Sequence, residues 1–86
     1  MDEGTKTGRG TLFNPSGDPI KKVDYEITPE EFRGRLRGVP KGFLMRRKGW
    51  SLLDEVGQRW SVATEFASVD EGLAGIWIDV VVKKAK

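Results

Sequence analysis

A chain of 86 residues with a formal net charge of +2 and a third of its residues charged has room for one domain and one small core. It contains no cysteine and no histidine, which excludes disulfide staples, zinc sites built on the usual ligands, and any Ser-His-Asp arrangement within the chain. No stretch is apolar for long enough to span a bilayer as a helix, and the polar start MDEGTKTGRG lacks the apolar region of a secretory signal, so the expectation is a cytoplasmic protein with no membrane partner.

In chain order, residues 1–9 are charged and glycine-rich with no apolar periodicity and read as a flexible arm ahead of a single β domain over 10–84. Gly10 to Asn14 is a short strand, and Pro15-Ser16-Gly17-Asp18-Pro19 is a turn cluster. From Ile20 to Thr28, Val23, Tyr25 and Ile27 alternate with Lys22, Asp24 and Glu26, the signature of a strand with one wet face.

Residues 29–37 obey two local rules at once. Thr28-Pro29-Glu30-Glu31 has the form of a helix start, and Phe32 and Leu36 are four apart. Phe32, Gly34 and Leu36 also alternate with Arg33, Arg35 and Arg37, and a glycine inside a helix costs about 1 kcal/mol. Consistency with the flanking segments favours the strand, with Phe32 facing the core and a short helix as the alternative.

Val39 to Gly42 reads as a loop, and Phe43 to Lys48 as a further short strand. Gly49 to Phe66 is the centre of the core: Trp50 and Leu52 share a face on the outgoing arm, Trp60, Val62, Thr64 and Phe66 recur every second residue on the return, and Asp54 to Gln58 turns between them. Ala67 to Gly72 is a polar connection. Leu73 to Lys84 places Ile76, Ile78, Val80 and Val82 on one face and Trp77, Asp79 and Val81 on the other, as expected of a strand flanked on both sides. Six to seven short strands and no internal repeat indicate an all-β fold, a small, mostly antiparallel barrel or sandwich.

With the commonest general base and the best nucleophile both missing, no catalytic residue, metal site or cofactor is expected. The acid pairs Glu30-Glu31, Asp54-Glu55 and Asp70-Glu71 fall in expected turns, where wet side chains are ordinary; a carboxylate hydrolase would need two of them facing each other across a cleft.

Charge segregation is the more informative feature. Arg33, Arg35, Arg37, Lys41, Arg46, Arg47 and Lys48 include every charge between Arg33 and Lys48, leaving eight bases against thirteen acids elsewhere, a net of −5. On a strand the three arginines would stand in a row roughly 7 Å apart. Such a row can follow a phosphate backbone with Phe43 as its neighbouring aromatic, or pair internally with Asp24, Glu26, Glu30 or Glu31. Trp77 and Val81 on the last strand are the candidate contact for a protein partner or a second copy. The expected function is thus a non-catalytic interaction module, with single-stranded nucleic-acid binding as the alternative.

Overall fold

A computed structural model of the chain describes residues 4–45, 48–72 and 75–85; the side chain of Phe66 and part of the strand predicted over 43–48 lie outside them. Six strands, β1 (Lys6–Phe13), β2 (Pro19–Thr28), β3 (Arg33–Arg37), β4 (Trp50–Leu53), β5 (Arg59–Gly72) and β6 (Gly75–Lys84), close into an antiparallel barrel in the order β1-β2-β3-β6-β5-β4. The barrel is two three-stranded meanders, β1–β3 and β4–β6, joined covalently by residues 38–49 and by two seams. One seam pairs β1 with β4 over three residues (Thr11–Leu53 to Phe13–Ser51), the other pairs β3 with β6 over five (Arg33–Val81 to Arg37–Trp77). Each seam joins strands of equal rank, so the architecture has an approximate two-fold relation between halves that share no obvious sequence repeat.

Alternation drives the wall inward. Val23, Tyr25 and Ile27 of β2, Leu36 of β3, Trp60 and Val62 of β5, and Ile78, Val80 and Val82 of β6 are all buried. Each fully buried aliphatic side chain contributes about 1.5–3 kcal/mol relative to exposure. Gly34 is buried on β3 because a Cβ there would stand 2.5 Å from Val82 Cγ2; the missing side chain lets Val82 fill the barrel. That close approach explains why the strand reading wins over a helix at 33–37.

Four local expectations are corrected. Strand β1 starts at Lys6, because Lys6 to Arg9 pair with Asp24 to Ile27, so residues 6–9 belong to the barrel rather than to a loose arm, and residues 1–3 lie outside the described residues. Residues 29–31 form one 3₁₀ turn, after which Phe32 takes a left-handed backbone (φ 54°) and leaves the core face, 56% exposed beneath Lys83. Phe43–Met45 is a second 3₁₀ turn rather than a strand; it inserts Phe43 into the barrel against Trp50, ring centroids 4.9 Å apart. The polar stretch 67–72 is strand, because its ladder with β6 continues through Gly72–Gly75 after a bulge between Ala63 and Ser68.

The two hairpin turns of equal rank are built alike. In Asn14–Asp18 the side-chain oxygen of Asn14 accepts from the N–H groups of Ser16 and Asp18, while Asn14 and Asp18 and then Gly17 and Asn14 close backbone bonds. In Asp54–Gln58, Asp54 Oδ1 accepts from Val56 and Gln58, with the same two backbone closures. Gly17 and Gly57 share φ 89°, a conformation in which other residues are strained.

Beyond this the turns differ. Asp54 is buried, and its Oδ2 accepts from Trp60 Nε1 at 2.9 Å. Burial works to raise the pKa of Asp54, but the bonds from Trp60, Gln58 and Val56, aided by the charge of Lys6, outweigh it and hold the carboxyl below its ordinary value. The neighbouring Glu55 ties this turn to the other half: its N–H donates to the Tyr25 hydroxyl, and its carboxylate accepts from Arg9 N–H at 2.7 Å.

Candidate interaction surface

The arginine row is real but is not a bare basic stripe. Arg33, Arg35 and Arg37 alternate with buried Gly34 and Leu36 and so point outward from β3. Register then puts carboxylates on both sides: Glu26 and Asp24 of β2 face Arg35 and Arg37, and Asp79 of β6 faces Arg35. Arg37 Nε and Nη2 donate to Asp24 Oδ2 at 2.9 and 2.7 Å. Arg35 meets Glu26, Asp70 and Asp79 at 3.5, 3.4 and 3.7 Å. Exposed pairs of this kind contribute about 0–1 kcal/mol each, but together they set two guanidinium groups among four carboxylates. Arg33 is the outlier, exposed and 3.8 Å from Glu31.

Trp77 belongs to this network. Both guanidinium carbons, of Arg35 and Arg37, lie about 5 Å from its ring centroid, at 5.0 and 4.9 Å, so the ring is half-covered by cations of its own chain. Val81 lies farther along the same outer face, in a shallow groove with Ser61, Ala63, Glu65 and Lys83. Lys41 and Lys48 stand apart from the row, exposed on the connection between the halves, and Arg46 and Arg47 lie outside the described residues. Phe43 is enclosed, 1% exposed, and presents no face for stacking. The wall arginines and the lysines of the connection therefore occupy different regions.

The acid pairs are also separated from one another. Glu30 and Glu31 sit on the 3₁₀ turn, Asp54 and Glu55 are engaged in their turn, and Asp70 and Glu71, adjacent on β5, point to opposite faces of the sheet. No group of three potential metal ligands occurs among the described residues. Nor is any helix among them long and apolar enough to cross a membrane.

A different surface emerges at one end of the barrel. Following the strand directions, the β1–β2 turn, the connection 38–49 and the β5–β6 hairpin all lie at the same end, which we call the mouth. Strands β2 and β5 are opposite one another in the ring, so their projecting hairpins stand on opposite sides of the mouth with the Phe43–Met45 turn as its plug. Of the seven large apolar side chains exposed among the described residues, five lie on these segments: Ile20, Leu44, Met45, Val69 and Ile76. Phe32 and Val56 are at the base. Alternation concealed this cluster. Ile76 has the same parity as core residue Ile78, and Val69 pairs with Ile78, but Ile76 lies past the end of β3 and Val69 past the end of β4, and both are exposed. Lys21, Lys22, Lys41 and Lys48 are exposed on the same segments.

The mouth also contains a long departure from a closed ladder. β4 pairs with β5 from Leu53–Arg59 to Trp50–Val62 and then ends. Beyond it, β5 runs ten residues further, from Ala63 to Gly72, paired with β6 at Ala63 and again from Ser68 to Gly72 and with no strand along the other edge among the described residues. No family model, curated protein or solved structure matches this chain.

Proposed function

We propose that this chain is a non-catalytic β-barrel module that binds a protein partner through its mouth. The observation that carries the reading is the gathering of Ile20, Leu44, Met45, Val69 and Ile76, five of the seven large apolar side chains exposed among the described residues, at one end of the barrel. Exposed apolar residues grouped on one end and accompanied by charge are what contact surfaces present, whereas apolar residues scattered singly are ordinary. The stacking of Arg35 and Arg37 on Trp77 makes the mouth a better contact than the Trp77 face. A cysteine-free chain is in keeping with a cytoplasmic site of action.

A photo-cross-linking side chain at Met45 or Ile76, in cells expressing the protein, should give discrete adducts that a Leu44→Glu change removes. The same probe at Val56, equally exposed at the base, should give none. Labelling from Val56 alone, or from neither end, would sink the reading. If the partner is a second copy, sedimentation velocity at high concentration shows a dimer that Leu44→Glu dissociates.

A second reading, single-stranded nucleic acid, is favoured by the four exposed lysines on the mouth segments. It requires retention of random RNA or DNA at low salt that falls steeply as salt is added. Absence of retention at low salt removes it.

A further inference from the structure

We infer that the free edge of β5 at residues 68–72 is a strand-addition site for an extended protein segment of basic and apolar residues. The inference rests on the mouth being a binding surface and names how that surface engages its partner.

An edge strand carries backbone N–H and C=O groups that a barrel normally satisfies by closure. Here closure fails locally. β4 ends opposite Val62, and after a register shift between Ala63 and Ser68 the rest of β5 keeps β6 on one edge and has no strand on the other among the described residues. No backbone hydrogen bond among the described residues joins 68–72 to the connection 38–49. All five residues are exposed. The edge is therefore accessible and already held in strand geometry by β6, which lowers the ordering cost for a peptide that adds to it.

Side chains beside the edge define the occupant. Val69 pairs with Ile78 and Glu71 with Ile76, so Val69, Glu71 and Ile76 share the inner face of the projecting hairpin, all exposed. Ser68 and Asp70 flank the outer face, beside Asp79 and Trp77, with Asp70 shared with Arg35 at 3.4 Å. Between Ala63 and Gly72 there are three acids, Glu65, Asp70 and Glu71, and no base. A strand added here sets its inner-facing side chains beside Val69 and Glu71 and its outer-facing ones beside Ser68 and Asp70, so it meets one apolar residue and a carboxylate on each face, which suits an occupant of apolar and basic side chains. A second copy of the same edge fits badly: antiparallel pairing about a two-fold would bring the Asp70 and Glu71 carboxylates of both copies together, and like charges facing across strands are destabilising.

The probe is a short blocked peptide of alternating lysine and valine, titrated into the isotope-labelled full chain. Expected are amide shift changes and slowed hydrogen exchange concentrated at 68–72. A peptide of alternating glutamate and valine should not bind, and methylating alternate backbone nitrogens of the lysine peptide should abolish binding with its side chains intact. Asp70→Lys with Glu71→Lys should weaken affinity by about tenfold or more, as expected for reversing one charge on each face of the edge. The tryptophan signals and thermal midpoint report that this variant is folded; Val69→Thr, which keeps the charges, should weaken binding less. Shifts at Ile20, Leu44 and Met45 without 68–72 would overturn strand addition while leaving the mouth as a binding surface. No shift anywhere overturns strand addition, and cross-linking at Met45 then judges the mouth independently. Equal binding of the methylated peptide overturns the backbone mode.

Discussion

The turns Asn14–Asp18 and Asp54–Gln58 are the same object used for opposite ends. Each has an Asx side chain taking two backbone N–H groups, two backbone closures, and a glycine at φ 89° three residues on. The residues that succeed them are unlike. Six positions after Asp54 is Trp60, buried and hydrogen-bonded to the carboxylate; six positions after Asn14 is Ile20, exposed at the mouth. The base turn is locked to both halves through Asp54, Glu55, Tyr25 and Arg9, whereas the mouth turn spends its side chain on its own backbone. Local turn chemistry thus sets the hairpin, and a single extra partner decides whether the end is sealed or left open.

The contrast is broken most severely by Asp54→Ala, which leaves Trp60 Nε1–H buried without an acceptor and two turn N–H groups unmatched; we expect a loss of about 2–4 kcal/mol in urea unfolding. Asp54→Asn should keep the turn, as Asn14 does, but sets a donor against the Trp60 donor, or loses the turn bonds if the amide rotates, for about 1–3 kcal/mol. In a Trp60→Phe background that cost should shrink, and an unchanged cost would show that the Trp60 bond is not what separates the two turns.

Acid provides the next separation. Because the folded carboxyl of Asp54 is held below its ordinary value, its contribution is fully present above the unfolded pKa and is lost as pH falls through the ordinary carboxylate range toward the folded value. Urea midpoints between neutral pH and about pH 3 should fall more steeply for the native chain than for Asp54→Asn. Equal slopes would refute the assignment. Asn14 does not titrate, so Asn14→Ala should leave the slope untouched and cost about 0.5–1 kcal/mol.

The smallest effect tests the likeness itself. Gly17→Ala and Gly57→Ala meet no neighbouring atom and share one φ, so each should cost about 1 kcal/mol, within error of the other. A large inequality would mean that the base turn imposes strain that the mouth turn does not.

Much of the wall could be read directly from the residues. Val23, Tyr25 and Ile27 and then Trp60, Val62 and Thr64 alternate without interruption, and all are buried. The likeness of the two turns was also available, as Asn or Asp with glycine three residues later, but there is no wider repeat to draw attention to it. Phe32 defeated alternation because its left-handed backbone breaks the pleat one residue before β3 starts. The polar composition of 67–72 hid a strand whose stability comes from β6 rather than from its own propensity. The mouth was not legible at all: whether Ile76 is covered depends on where β3 ends, a long-range fact that periodicity does not carry.

The two seams have a topological corollary. The pairs β1–β4 and β3–β6 are indifferent to whether their strands come from one polypeptide or two, and only residues 38–49 bind one half to the other covalently. Deleting enough of that hinge to prevent its reversal should make two molecules exchange halves, giving an intertwined species of doubled mass with an unchanged far-ultraviolet spectrum. Lengthening it should restore the single-chain form.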